Sequence, residues 1–314
     1  MKNVAFHSNQ LGIRGVEVAL YDYALYNEML LKNKSFILAD KNKDLQALKK
    51  FEDRFEVFLY NKFEECFEFA EQKNLQYTYF IKGGDNDKKL IPKTKNAIHA
   101  VFQEKDFHGD SYAYVSKWLC EKMNESDLYV PHIVSLPEAR KSYRDKLKIS
   151  NEQIVLGRYG GINEFDLPFV QQTVVEVAKK RKDIVFLFMN TRQFGSAQSN
   201  IIFVEGTYNL QHKSDYINTC DYMLHARHRG ESFGLAISEF LFHDKPVISW
   251  KSGLDRNHIE MLGDKGMWYS NENDLNHLLL NLSKNTKPKG YYKSIVDQFC
   301  PEVVMERFNQ IFLK

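Results

Sequence analysis

Short apolar runs alternate with amphipathic stretches along the whole chain, which predicts an α/β protein with parallel sheets. In the first half, residues 3–6, 35–38, 56–60, 77–81, 97–102 and 113–115 read as strands. Between the first two, residues 16–31 carry helical periodicity, with Val16, Leu20, Tyr23, Ala24 and Tyr26 on one side. The segment 127–137, DLYVPHIVSLP, has two prolines and little periodicity, and reads as a link between domains. The alternation then restarts. Strands are predicted at 154–157, 184–189, 201–204, 222–225 and 247–250, and helices at 167–180, 214–218, 232–242 and 274–282. Residues 291–313 again look helical and are expected to fold back toward the first domain. The pattern therefore divides into a first domain over 1–130, a second over 131–290, and a terminal helix over 291–314.

Composition adds bounds rather than function. A length of 314 residues fits two domains, and 43% hydrophobic with 27% charged residues is ordinary for a globular chain with an ample core. Forty-three basic against 41 acidic residues give a net charge of +2, which argues against a dedicated nucleic-acid partner. The four cysteines, Cys66, Cys120, Cys220 and Cys300, form no CxxC pair, so reduced thiols in a cytoplasmic protein are expected. The most apolar short run, IVFLFM at 184–189, is far too short to span a bilayer.

The most informative stretch is residues 220–250, CDYMLHARHRGESFGLAISEFLFHDKPVISW. An apolar strand runs into a polar turn, a helix begins near Ser232, and a turn at Asp244-Lys245-Pro246 leads to the next strand. A helix that follows a parallel strand starts at the carboxyl edge of the sheet, where open α/β folds bind ligands. N–H groups at Phe233, Gly234 and Leu235 would favour an anion such as a diphosphate, and Gly234 would let it approach the backbone. Glu231 precedes the helix and Glu239 lies within it. Eight helical residues span about 12 Å, roughly the distance from a donor sugar across a diphosphate to a ribose.

These residues resemble glycosyltransferase family 4 and its GT-B relatives. The family pattern is Glu, seven residues, Glu, with Phe-Gly after the first and a strand after a Lys-Pro turn; here it reads Glu231-Ser-Phe-Gly-Leu-Ala-Ile-Ser-Glu239, then Asp-Lys-Pro-Val-Ile. The resemblance implies a GT-B fold, two Rossmann-like doubly wound domains facing across a cleft. It also implies that Glu231 contacts the transferred sugar and Glu239 the nucleotide ribose, with Ser232 and Arg227 nearby. The ordinary alternative is a helix-start acid and a solvated helix residue.

Other motifs are read beside it. In QIVLGRYGGINEFD (153–166), Arg158 ends a strand and precedes Gly160 and Gly161, and an arginine there can neutralise a diphosphate leaving group. The family has a lysine five residues after that arginine. This chain has Asn163, and Lys213, Arg192, Arg227 or Arg229 are the candidate substitutes. In HSNQLGIRGVEVALYDYA (7–24), Gly12 and Gly15 flank a turn into a helix and resemble the family's first glycine loop; a turn without ligand is the alternative. His99, in NAIHAVF, stands where the family often places a sugar-contacting histidine, and His7 is a weaker competitor; either can equally be structural. Asp85-Asn86-Asp87 matches a metal-binding Asp-x-Asp but also a plain polar turn, which is the preferred reading. Lys284, Lys287, Lys289 and Lys293 form a basic loop whose preferred reading is a solvated one, with weak peripheral contact with an anionic membrane as the alternative.

The implied activity is transfer of a sugar from a nucleotide-diphosphate sugar to a glycan, lipid-linked or small-molecule acceptor, with retention, no metal and no further cofactor. Rival readings are a nucleotide-sugar epimerase, a non-catalytic sugar-nucleotide-binding protein, and a metal-dependent single-domain transferase.

Overall fold

The computed structural model describes all 314 residues. The chain forms two compact units, residues 1–133 with 298–314, and residues 134–297. The first boundary falls three residues beyond the expected 130.

Unit 1 contains β1 (Asn3–His7), α1 (Gly15–Met29), β2 (Lys34–Asp40), α2 (Leu48–Glu52), β3 (Glu56–Tyr60), α3 (Glu65–Gln72), β4 (Tyr77–Lys82), β5 (Lys95–Ala100), β6 (Ser111–Tyr114) and α4 (Lys117–Lys122). Unit 2 contains β7 (Ile154–Arg158), α5 (Pro168–Lys180), β8 (Ile184–Met189), β9 (Ile201–Val204), α6 (Leu210–Thr219), β10 (Tyr222–His225), β11 (Gly230–Glu231), α7 (Leu235–Phe242), β12 (Val247–Trp250), β13 (Asp255–Arg256), α8 (Asn257–Leu262), β14 (Met267–Tyr269) and α9 (Glu272–Leu280). The last helix, α10 (Pro301–Phe312), belongs to unit 1. It is shorter than the 291–313 expected, because residues before Pro301 form 3-10 turns, and Pro301 occupies a first-turn position where its missing N–H is harmless.

Both six-stranded sheets are parallel. Their orders are β3-β2-β1-β4-β5-β6 and β9-β8-β7-β10-β12-β14, the same doubly wound arrangement twice. A parallel strand covered on both faces reads as a continuous apolar run. Accordingly, all six residues of β8 are buried. Unit 2's core joins Ile154, Leu156, Phe186, Phe188 and Leu224 of the sheet to Val170, Val174 and Val177 of α5 and Leu275 and Leu279 of α9. In unit 1, aromatic rings seat α10 on the sheet and on α1. Phe308 lies 6.1 Å from Phe6 and 5.1 Å from Tyr23, and Phe312 lies 5.5 Å from Tyr79, centroid to centroid.

Each sheet reverses its winding once, between β1 and β4 in unit 1 and between β7 and β10 in unit 2. At such a point successive connections leave toward opposite faces and open a crevice at the carboxyl ends of the strands. The crevice in unit 2 is where the sequence places its chemistry.

Candidate active site

β10 delivers His225 at the carboxyl edge of the second sheet, and the chain returns six residues later at Glu231. Glu231 precedes the helix and is not a helix-start acid. It lies in β11, whose pairing with β13 (Gly230↔Asp255, Glu231↔Arg256) fixes its backbone. Its Oε1 accepts a hydrogen bond from His225 Nε2 at 3.1 Å, and its Oε2 accepts one from Arg227 Nη1 at 2.9 Å. Arg227 Nη2 donates onward to Glu164 Oε1 at 2.9 Å. On its other side, His225 Nδ1 meets Ser249 Oγ at 2.9 Å. Burial works to raise the Glu231 carboxyl, but Arg227 and His225 outweigh it and hold it at about 2. Glu231 is therefore an anion at neutral pH, and its side chain keeps 18% exposure.

Helix α7 begins at Leu235, not Ser232. Gly234 caps it with φ +93°, a left-handed conformation that stops the helix extending backward. Phe233 is buried, with its carbonyl accepting from Asn257 Nδ2 at 2.6 Å, and Ser232 is half-buried. The first helical bond runs from Ser238 N–H to Gly234 O. The first-turn N–H groups, from Leu235 to Ile237, precede that ladder and carry the positive end of the helix dipole.

Glu239 is buried inside α7, and its Oε1 accepts from Lys213 Nζ at 2.7 Å in an ion pair whose two side chains are about 5% exposed or less. Lys213 also lies 5.2 Å from the Tyr159 ring centroid, and Tyr159 stacks on Phe240 at 5.9 Å. Arg158 is buried too. It donates to Asn190 O (3.1 Å), Thr191 Oγ1 (2.7 Å) and Gly161 O (2.8 Å), so it ties the loops after β7 and β8 together. Burial lowers its pKa to about 10. Gly160 sits at φ +157°, and a Cβ on Gly161 would come within 2.6 Å of the Glu164 carboxylate. Asn163 is exposed. Of the candidate substitutes for the missing lysine, Arg227 belongs to the Glu231 network and Lys213 to the Glu239 pair. Arg229 Nε bonds Asp255 Oδ2 at 2.7 Å, and Arg192 is exposed on the loop after β8.

The residues read in unit 1 fare differently. Gly12 is buried, where a Cβ would lie 2.7 Å from Asp44 Oδ2, and Gly15 is the exposed first residue of α1. His99 requires a correction. It is fully buried, with Nδ1 on Tyr79 Oη at 2.6 Å and Nε2 on Val130 O at 2.9 Å, among Tyr23, His132 and Phe312. A ring with no exposed surface and both nitrogens bonded within the core is a structural histidine. His7 is likewise buried, bonded to Tyr60 Oη at 2.9 Å. Residues 85–87 form a polar turn: Asp87 Oδ1 accepts from Lys89 N–H and Lys82 Nζ, and Asn86 Oδ1 from Lys88 N–H.

Burial lowers the His99 pKa to about 3, against 6.5 when the ring is free. Between those values the unfolded chain holds a proton that the folded one does not. Stability is therefore full above pH 6.5 and falls as pH drops toward 3, by up to ~1.4 kcal/mol per unit from this ring. Urea unfolding at pH 7.5 and 5.5 is expected to show that fall, and His99→Gln to lessen it by about one proton's worth. Equal pH slopes in parent and variant would refute the assignment.

The comparisons with known proteins bear on the fold. No family model matches the sequence, and no curated protein matches it. Solved structures do. Anabaena Alr3699/HepE in complex with UDP-glucose is 12% identical over 99% of both chains, with a TM-score of 0.78. AviGT4, a glycosyltransferase involved in avilamycin A biosynthesis, is 13% identical over 99% of this chain and 96% of its own, at 0.62. A candidate UDP-N-acetylglucosamine 2-epimerase from Listeria monocytogenes is 11% identical over 98% and 95%, at 0.62. With two doubly wound parallel sheets and these neighbours, the chain has the two-domain, Rossmann-like fold of the GT-B glycosyltransferases.

Proposed function

We propose that the chain is a glycosyltransferase that moves a sugar from a nucleoside-diphosphate donor to an acceptor hydroxyl, with retention of configuration and without a metal. One observation carries this reading. At the unit 2 switch point, an ionised carboxylate stands four residues before the first residue of a helix. The acid suits sugar hydroxyls, and the first-turn N–H groups suit a diphosphate. Arg227 adds cationic charge beside Glu231. Glu239 lies further along α7, paired with Lys213 of α6, where the ribose end of the donor would reach.

In this reading unit 1 takes the acceptor. The bond from the sugar's anomeric carbon to the diphosphate oxygen breaks as the acceptor oxygen bonds to that carbon on the same face. The acceptor's proton passes to the departing diphosphate, whose charge the α7 N–H groups stabilise. HepE was solved with UDP-glucose, which favours a uridine donor for testing. Cys66, Cys120 and Cys220 are buried free thiols, consistent with a reducing, cytoplasmic setting. No helix is long and apolar enough to cross a membrane.

A thermal-shift screen of UDP, GDP and their sugars tests the reading. A ligand at a hundred times its Kd stabilises the folded chain by ~2.7 kcal/mol, a clear rise in Tm. No shift with any nucleotide would refute it. The likeness to the candidate epimerase supports a second reading. Incubation with donor alone, followed by NMR of the sugar, separates the two. An epimerase yields a second isomer without acceptor, and a transferase does not.

A further inference from the structure

Glu231 is held from behind by a chain of side chains that the sequence motif does not contain. β10 and β12 pair in parallel with His225 directly opposite Ser249, and both side chains are buried, at 5% and 0% exposure. Ser249 Oγ, the His225 ring and Glu231 Oε1 follow one another at 2.9 and 3.1 Å. The hydrogen positions follow from chemistry. An ionised carboxylate only accepts, so the proton must lie on His225 Nε2. Nδ1 is left to pair with the Ser249 hydroxyl, which can donate to it or accept from it. The Tyr269 hydroxyl bonds the His225 carbonyl at 2.7 Å and holds the end of the strand.

From this geometry we infer that His225 and Ser249 are positioning residues for the proposed reaction. Ser249 holds the orientation of the His225 ring, and His225 fixes the rotamer and lone pairs of Glu231 for the donor's sugar. The inference rests on the glycosyltransferase reading and adds to it how sugar recognition is enforced. Arg227, clamped by Glu164, secures the second carboxylate oxygen, so each oxygen has one fixed donor and one lone pair left for a sugar hydroxyl. The arrangement leaves the nucleotide end of the site untouched. Its loss should therefore fall on the sugar alone.

The experiment measures the affinity of UDP and of UDP-glucose by calorimetry, in the full-length parent and in two variants. The gain from UDP to UDP-glucose isolates the sugar contact. His225→Gln keeps an N–H near the Nε2 position and is expected to retain most of that gain. His225→Asn keeps only the Ser249 side of the chain and is expected to lose it, roughly tenfold, with UDP affinity unchanged. On the parent itself, 15N NMR of the histidine rings should show His225 protonated at Nε2, a readout that requires no variant to fold. Variants that both keep the parent's gain, an equal fall for UDP and UDP-glucose, or a ring protonated at Nδ1 alone would each overturn the inference. A parent that binds UDP without any gain from glucose would overturn it while leaving nucleotide binding intact. A parent that binds neither would sink the transferase reading and this inference together.

Discussion

Glu231→Gln is expected to lower sugar transfer by at least about a hundredfold while leaving UDP affinity within roughly threefold of the parent. The argument is one of donors and acceptors. The Glu231 carboxylate receives N–H groups from His225 and Arg227, one on each oxygen. A glutamine has one accepting oxygen and one amide nitrogen: turned one way its NH2 meets the Arg227 donor, and turned the other it faces His225 Nε2, which can accept only after the ring moves its proton to Nδ1. The side chain must swing away, leave a buried donor unsatisfied, or force that change of tautomer. Positive charge builds on the sugar ring as the diphosphate departs, and the neutral amide no longer answers it. The contacts proposed for the nucleotide lie elsewhere, so UDP binding is expected to survive. Initial rates of UDP release in the presence of acceptor, beside calorimetric UDP affinity, give both numbers. Transfer at the parent rate would remove Glu231 from the mechanism, and a parallel collapse of UDP binding would make it a scaffold residue.

That carboxylate was legible in the sequence, but its surroundings were not. The Glu-x7-Glu spacing, Phe233-Gly234 and the Lys-Pro turn lie within twenty residues of one another, where local pattern is informative. His225 and Ser249 are separated by the whole of α7 and meet only because β10 and β12 pair in register. No spacing rule announces such a meeting, and neither residue is unusual at a strand end. Glu164 is further off still, brought to Arg227 by the adjacency of β7 and β10. The late start of α7 was missed for a different reason. Leu235 to Phe242 continues an apolar pattern already begun at Phe233, whereas the left-handed Gly234 and the small β11–β13 pairing that hold residues 230–234 out of the helix depend on the backbone of residues 255–256. His99 shows the opposite failure. It matched a family position, yet the closing of α10 over β4 and β5 buries it, and that packing brings residue 312 to residue 99. The alternation of strands and helices, by contrast, marked most of both sheets, because buried parallel strands are apolar throughout and need no partner to be recognised. β14 escaped because it is only three residues long.

Lys213→Met is expected to destabilise unit 2 by ~3–5 kcal/mol, and the double variant Lys213→Met/Glu239→Gln to recover most of that loss. Lys213 and Glu239 face each other at 2.7 Å with side chains almost wholly removed from water. Taking either ion from water costs several kcal/mol, offset here by their mutual attraction at close range. Removing the ammonium alone leaves a carboxylate in a poorly solvated place, next to the fully buried Phe240 and Leu241. Removing both charges takes away the attraction and the desolvation penalty together, which is why the double change should be milder than the single one. For a unit of this size the single variant should lower the unit 2 Tm by roughly 10 °C. Urea and thermal unfolding of the parent, both single variants and the double variant form a cycle that isolates the coupling. Additive losses, with the double variant worse than either single one, would mean that the two charges do not depend on each other. The nucleotide gives the cycle a second reading. Glu239→Gln keeps the shape of the side chain but not its charge, so if Glu239 serves the ribose, the double variant should regain stability without regaining UDP affinity. Stability and binding recovering together would assign Glu239 to the scaffold alone.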